Sequence, residues 1–287
     1  MKVLPFLISG LGIGAVYALS GVGLVVLFRA TGVLNFALGA IGAFGAHVAW
    51  SLVEIGWSLA LACLAGILAA TVLSFGYGRL IAPMLAYRNI VVRAIGTLGF
   101  AMLLMGAMGL IWGEVPRRLV FPTDKLFLEI FGTRLTHTRL IALILAALTV
   151  IGIGLLLAKT RLGLKMRALA CDRDLSALFG VKILAVESKA WLLAGVFAGI
   201  AGLLLGNLVR LQGQLLTFLI VPAIAAAILG RLRALPGTAS GGLFIGIVEA
   251  VLSIFPDLSA YRTAAPFAVA LLAVTIFGRA ADYAADR

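Results

Sequence analysis

The stretch ATGVLNFALGAIGAFG, Ala30 to Gly45, is apolar enough for a lipid bilayer, yet it holds Asn35 and four glycines. An amide without a hydrogen-bond partner is unfavourable in hydrocarbon by about 2–7 kcal/mol, depending on the reference state. Glycine weakens a helix and also lets two helices approach closely. The stretch therefore predicts either a broken helix beside a cavity or a closely packed helix whose Asn35 bonds to a neighbour.

The rest of the chain has the same apolar character. Of its 287 residues, 63% are hydrophobic and 12% are charged, whereas a soluble domain has about half and about a quarter. This composition predicts a polytopic membrane protein. The net charge of +12 indicates cytoplasmic loops rather than nucleic-acid binding, because no basic stretch is interleaved with exposed aromatic residues.

Apolar runs long enough to cross a bilayer predict an all-α membrane protein with about eight or nine transmembrane helices in a single domain, 1–287. The seventh run is short and contains Pro222, so it is either a broken span or a half-helix that enters and returns. The runs lie at 3–28, 33–53, 58–78, 91–112, 140–158, 188–209, 215–230, 238–256 and 263–278.

Basic residues predict the orientation in the membrane. Fifteen of the 23 lysines and arginines fall on the side of the loop between the fifth and sixth runs. By the positive-inside rule this side is cytoplasmic, which places the N-terminus outside and the C-terminus inside. The predicted outer loop, 113–139, holds five basic residues and weakens the bias.

The loop KTRLGLKMRALACDRDLSALFGVKI, Lys159 to Ile183, has the pattern of a short amphipathic helix that ends at Gly180. Charged residues occupy the other faces of this helix. Periodicity alone leaves two interpretations: a helix lying at the lipid surface, or a helix that docks on a cytoplasmic partner. The residues on the predicted apolar face are Leu164, Ala168, Cys171, Leu175 and Leu178.

This loop resembles the coupling loop of the branched-chain amino acid ABC-transporter permeases. The matching positions are Thr160, Gly163, Arg167, Ala168, Ala170, Asp172, Ala177, Gly180 and Val181. Segments before and after the loop are similar to the same family in the same order: SGLGIGAVYAL, GVLNFALGAIGAFGA, IGTLGF, WLLAGVFAGIAGLLLG and LPGTASGGLFIGIVEAVL. Within the family the chain resembles the shorter permease subunit, which starts directly with transmembrane helices.

The resemblance implies a non-catalytic subunit of an ATP-driven importer in the bacterial cytoplasmic (inner) membrane. Two permease subunits, the second one related but longer, would form the pathway. Two cytoplasmic ATPases would hydrolyse ATP, so no cofactor is expected in this chain, and a periplasmic or extracellular protein would deliver the solute. Branched-chain amino acids, urea, short amides and aromatic acids all fit the family.

The resemblance also implies two sets of functional residues. The loop, about 159–185, would transmit ATPase closure as a rigid push, with small residues seating it closely and Arg167 and Asp172 contacting the partner. The coupling residues would be Gly163, Arg167, Ala168, Asp172, Ala177 and Gly180. The substrate pathway would be lined by Asn35, Phe36, Gly39, Thr97 and Glu249.

Glu249 supports an alternative, since it is the one acidic residue inside a predicted span. An ion-coupled secondary transporter could use such a carboxylate as its proton or cation site, although a second buried acid is missing from the predicted spans. No HExxH or GxSxG motif points to an enzyme. The two histidines and two cysteines lack the spacing of a metal site.

Overall fold

The computed structural model describes residues 3–130, 133–259 and 261–285. The two residues at each end of the predicted domain, and 131–132 of the predicted outer loop, lie outside the described residues. The α-helices are α1 (Val3–Thr31), α2 (Leu38–Glu54), α3 (Leu59–Gly76), α4 (Ile90–Trp112), α5 (His137–Lys159), α6 (Arg161–Cys171), α7 (Arg173–Leu178), α8 (Ile183–Leu208), α9 (Gly213–Phe218), α10 (Ile220–Leu229), α11 (Leu235–Leu252), α12 (Pro256–Ser259) and α13 (Ala265–Ala285).

The prediction of an all-α membrane protein is confirmed, with one small addition. The strands β1 (Phe127–Ile130) and β2 (Thr133–Thr136) pair antiparallel within the predicted outer loop, with Phe127 opposite Thr136. We call the end of the bundle that carries this hairpin the hairpin end. The opposite end carries α6 and α7, and we call it the α6 end.

Each of the nine predicted apolar runs coincides with a helical segment. Six helices in the described part of the chain are long and apolar enough to cross a membrane. They are Phe6–Thr31, Leu59–Leu85, Ile90–Trp112, His137–Lys159, Ile183–Leu208 and Leu235–Leu252. Three shorter apolar segments account for the other runs: Leu38–Glu54, Gly213–Leu229 and Arg262–Thr275.

Small residues bring the central helices together. A Cβ added at Gly10 would lie 2.5 Å from the Gly246 carbonyl oxygen, and one at Gly14 would lie 2.9 Å from that of Gly242, so α1 and α11 run antiparallel in close contact. Gly42 of α2 and Gly202 of α8 meet through their backbones in the same way. Van der Waals packing of this kind holds helices together where lipid removes the hydrophobic driving force.

The seventh apolar run is a broken helix. Its halves, α9 and α10, are separated at Leu219. The run starts at the hairpin end, where Leu211 pairs with Arg117 of the predicted outer loop. It finishes at the α6 end, because α11 begins there and runs back along α1. The segment therefore passes from one end of the bundle to the other despite its break.

Candidate functional site

The chain between α1 and α2 is non-helical and starts at Gly32, whose φ of +70° favours glycine. The Thr31 hydroxyl donates to the Leu27 carbonyl and accepts from the Val33 amide, which occupies backbone groups at the end of α1. Gly32 thus makes the break, whereas Gly42 and Gly45 serve close packing. The break and the close packing, which were alternatives for the opening stretch, both occur in different parts of it. The interhelical hydrogen bond considered for Asn35 is not among its described contacts, since its Oδ1 accepts from Ala37.

Asn35 lies within this break and is 1% exposed. Its Oδ1 accepts a hydrogen bond from the Ala37 amide at 2.9 Å, just before α2 begins. Its Nδ2 is buried and has no hydrogen-bond partner among the described residues. Buried polar groups are usually paired, so the unpaired Asn35 Nδ2 is an unusual feature of this break.

Thr97 of α4 joins Asn35 and Phe36 in one polar cluster. The Thr97 hydroxyl accepts from the Phe36 amide at 3.1 Å and lies 3.4 Å from the Leu34 carbonyl oxygen. The same hydroxyl can donate to the Ala94 carbonyl at 2.7 Å. The structure therefore brings together three of the predicted pathway residues, although 61 positions separate Thr97 from Phe36.

Gly39 contacts the broken segment. A Cβ added there would lie 2.5 Å from the Thr217 carbonyl oxygen in α9. A cavity with about 20 Å³ of space for water lies beside it, lined by Leu38, Gly42 and Leu219 among others. Gly39 thus lies between the break before α2 and the break between α9 and α10.

Glu249 lies apart from this cluster, in the hairpin half of the bundle. The Tyr17 hydroxyl donates to its Oε2 at 3.0 Å. Tyr17 precedes the end of α1 by 14 residues, or about 21 Å of helix. Glu249 lines a cleft of about 540 Å³ together with Phe218, Pro222, Arg262 and Phe267. Glu249 is therefore separate from the cluster of Asn35, Phe36 and Thr97. Gly39 lies between them, in a cavity that it shares with Ser20 and Leu219.

The predicted coupling helix is two helices, which corrects the sequence interpretation. Asp172 ends α6 and begins α7, where its Oδ1 accepts from the Leu175 amide at 2.8 Å. Arg167 donates to the Leu157 carbonyl at 2.7 Å. The hydrogen bonds of both side chains therefore lie within this chain. Gly180 has the expected helix-ending conformation, with a φ of +77°.

The apolar face predicted for this loop is largely exposed. Leu164 is 61% exposed and Leu178 is 85% exposed, and the adjoining Phe179 is 81% exposed. The loop instead packs on the bundle through Gly163, Met166 and Leu169. A Cβ added at Gly163 would contact the Leu157 backbone. Ala177 is exposed and Ala168 is partly buried.

Sequence reasoning missed a charged cluster at the α6 end. Glu187 of α8 is 5% exposed, and its carboxylate is paired with Arg173 of α7 and lies 4.0 Å from Arg93 of α4. Glu187 lies one residue before the predicted sixth run, so it was not counted as an acid within a span. The sequence signal that could have identified it is an acidic residue at the edge of an apolar run, because the chain has only 11 acidic residues.

No group of three or more potential metal ligands occurs in the described part of the chain. Cys63 and Cys171 are both free.

The family described as "Branched-chain amino acid transport system / permease component" matches residues 6–277. This chain belongs to that permease family. The permease is 26% identical to the high-affinity branched-chain amino acid permease LivH of Escherichia coli, over 93% of this chain and 91% of LivH. It is also 26% identical to BraD of Pseudomonas aeruginosa, over 85% of this chain and 84% of BraD.

Solved structures share the fold of this permease. PsaBC from Streptococcus pneumoniae, determined in complex with a Fab, matches with a TM-score of 0.50 and 15% identity, over 94% of the permease and 90% of that chain. An inward-facing metal-chelate type ABC transporter matches with a TM-score of 0.50 and 20% identity, over 96% of the permease and 84% of that chain. At these identities the likeness concerns the fold alone.

Proposed function

We propose that this permease is the non-catalytic membrane subunit of an ATP-driven importer in the bacterial cytoplasmic membrane. The observation that carries the proposal is the exposed apolar face of α6 and α7, with Leu164, Leu178 and Phe179, in a chain of this family. These side chains lie outside the helices that are long enough to cross a membrane, and large apolar side chains exposed there mark a contact surface. Two ATPase subunits that hydrolyse ATP would bind there, one on this chain and one on a second, longer permease.

The proposed orientation places the α6 end in the cytoplasm. Arg161, Lys165 and Lys182 are exposed at this end, which agrees with the positive-inside rule. The N-terminus is then outside and the C-terminus inside. A periplasmic or extracellular protein delivers the solute at the hairpin end.

The proposed solute is a branched-chain amino acid, as the names of LivH and BraD suggest, or a related small solute such as urea, an amide or an aromatic acid. The proposed pathway starts at the Glu249 cleft, whose walls combine a carboxylate and Arg262 with apolar side chains. Such a mixture suits a small zwitterion that carries an apolar side chain. The pathway then passes Gly39 and, nearer the α6 end, the cluster of Asn35, Phe36 and Thr97.

Uptake in proteoliposomes tests this proposal. The permease is reconstituted with the second permease, the two ATPases and the binding protein that the proposal assigns to it. Radiolabelled leucine, urea and phenylalanine are then supplied. We expect uptake of at least one of them that requires ATP and stops when the catalytic glutamate of the ATPases is replaced by glutamine. Uptake driven by a proton or sodium gradient without the ATPases would instead identify a secondary transporter that uses Glu249.

A further inference from the structure

The buried Glu187 carboxylate connects three separate parts of the permease. It is carried by α8, its Oε1 accepts a hydrogen bond from Arg173 of α7, and the same oxygen lies 4.0 Å from Arg93 of α4. The side chains are 6% exposed for Glu187, 17% for Arg93 and 30% for Arg173. A carboxylate at this depth is stable when cations and hydrogen bonds surround it.

Arg93 extends this connection to the break before α2. Its guanidinium donates to the Thr31 carbonyl at 3.0 Å, at the last residue of α1. One turn further along α4, Thr97 binds the Phe36 amide and lies beside the Leu34 carbonyl. Polar contacts thus lead from α7 through Glu187 and α4 to both sides of the break that holds Asn35.

A small cavity beside these contacts leaves room for the side chains to adopt a second arrangement. A cavity with about 10 Å³ of space for water lies among Thr31, Arg93, Thr97 and Glu187. The indole Nε1 of Trp191, which also lines this cavity, is buried without a hydrogen-bond partner among the described residues. A water molecule fits a polar space of this size, and water can take over a bond when one side chain moves.

We propose that Arg173, Glu187 and Arg93 form a relay that carries the movement of α7 to the break before α2. The inference rests on the proposed function, in which an ATPase pushes α6 and α7. When α7 shifts, Arg173 displaces the Glu187 carboxylate, and Arg93 moves with that carboxylate. The hydrogen bonds that join α4 to Thr31 and Phe36 then change. Glu187 is then a positioning residue for transport, since it acts on the pathway through Arg93.

The test compares Glu187→Gln and Arg173→Gln with the wild-type complex in the same proteoliposomes. Glutamine keeps the shape of the glutamate side chain and removes its charge. In place of Arg173 it removes the charge and the guanidinium, and it shortens the side chain. Lys189→Gln is the matched control, because Lys189 is exposed on α8 two residues after Glu187. We expect both relay variants to assemble and hydrolyse ATP, while solute uptake per ATP falls by about 5- to 150-fold, the range typical of coupling between sites.

A second measurement separates coupling from simple stabilisation. Leu34→Cys is labelled with a water-soluble maleimide in a chain with Cys63→Ala and Cys171→Ala. We expect the labelling rate to differ between the nucleotide-free and vanadate-trapped complexes, and this difference to vanish in the Arg173→Gln and Glu187→Gln variants. A structural role alone would lower the yield of complex and leave the difference in place.

The outcomes distinguish the two proposals. If the wild-type complex shows no ATP-driven uptake, the proposed function fails and the relay fails with it. If the wild type transports and both relay variants match Lys189→Gln in uptake per ATP and in labelling, the relay alone is wrong. If Glu187→Gln does not assemble, Arg173→Gln alone decides the test, because Arg173 is partly exposed.

Discussion

Glu187 and Glu249 both lie on helices long enough to cross a membrane, but in opposite halves of the bundle and with opposite kinds of partner. Glu187 is buried between Arg93 and Arg173. Glu249 has the neutral Tyr17 hydroxyl as its hydrogen-bond donor and lines a cleft of about 540 Å³. A carboxylate that is paired with two guanidiniums is occupied by protein contacts, whereas one that faces a cleft can bind a ligand.

The largest effect is expected when the Glu187 carboxylate is removed from between its two arginines. Glu187→Leu leaves two arginines facing each other without an acid. We expect a loss of about 3 kcal/mol in the free energy of unfolding, the low end for a broken buried ion pair because Arg173 is partly exposed. Scanning fluorimetry in detergent measures it, with the exposed Glu54→Leu as the control. Equal melting temperatures for the two variants would contradict the role assigned to the arginines.

The next prediction concerns α7, the element to which Glu187 is tied. Ala177 is exposed, so Ala177→Trp can be accommodated by the chain but should prevent close seating of an ATPase. We expect the melting temperature to stay constant while ATP-driven uptake falls to background. Ala177→Ser is the size-matched control and should transport like the wild type. Normal uptake by the tryptophan variant would rule out this surface as the ATPase contact.

Glu249→Gln tests whether the carboxylate that faces the cleft binds solute. Glutamine can still accept the Tyr17 hydrogen bond, so stability should hardly change. If the carboxylate binds solute, its charge-assisted bond is lost, and the KM for uptake should rise about tenfold for a loss of about 1.5 kcal/mol. The KM from initial uptake rates decides this. An unchanged KM would mean that Glu249 is a neutral hydrogen-bonding group between α1 and α11.

Tyr17→Phe should have the smallest effect. It removes a single hydrogen bond to Glu249, an interaction of about 1 kcal/mol, and leaves the carboxylate in the cleft. We expect a KM increase of roughly fivefold, as that energy implies, and no change in ATP hydrolysis by the complex. A larger effect than that of Glu249→Gln would reverse the order of importance and make Tyr17 the principal ligand.

The helices were predictable from the sequence because lipid imposes simple length and polarity rules. Each predicted run from 3–28 to 263–278 overlaps a helical segment, and the break near Asn35 followed from its glycines. The loop was less predictable. Its periodicity suited a single helix, but Asp172 caps a new one, and periodicity cannot separate two helices of similar pitch from one.

The candidate site was predictable only in part. Asn35, Phe36 and Thr97 were expected to line the pathway through a family resemblance, and the Phe36 amide does bond to the Thr97 hydroxyl. Glu249 was expected to line the same pathway, and it lies on the cleft beside Tyr17. Glu187 was missed because it lies one residue before the predicted sixth run, and its partners, Arg93 and Arg173, come from two other helices.

The sequence by itself determined that this is a membrane protein, and it determined the all-α class, most of the helix positions and the family. These properties depend on composition and on local patterns of residues. Tertiary structure alone decided which polar groups meet: Thr97 with the break, Tyr17 with Glu249, and two arginines with Glu187. In an apolar bundle most buried polar groups are paired within the protein, and the Asn35 amide nitrogen and the Trp191 indole nitrogen are exceptions among the described residues. The partner of each paired group is set by how glycine-lined helices pack, and sequence separation carries no information about it.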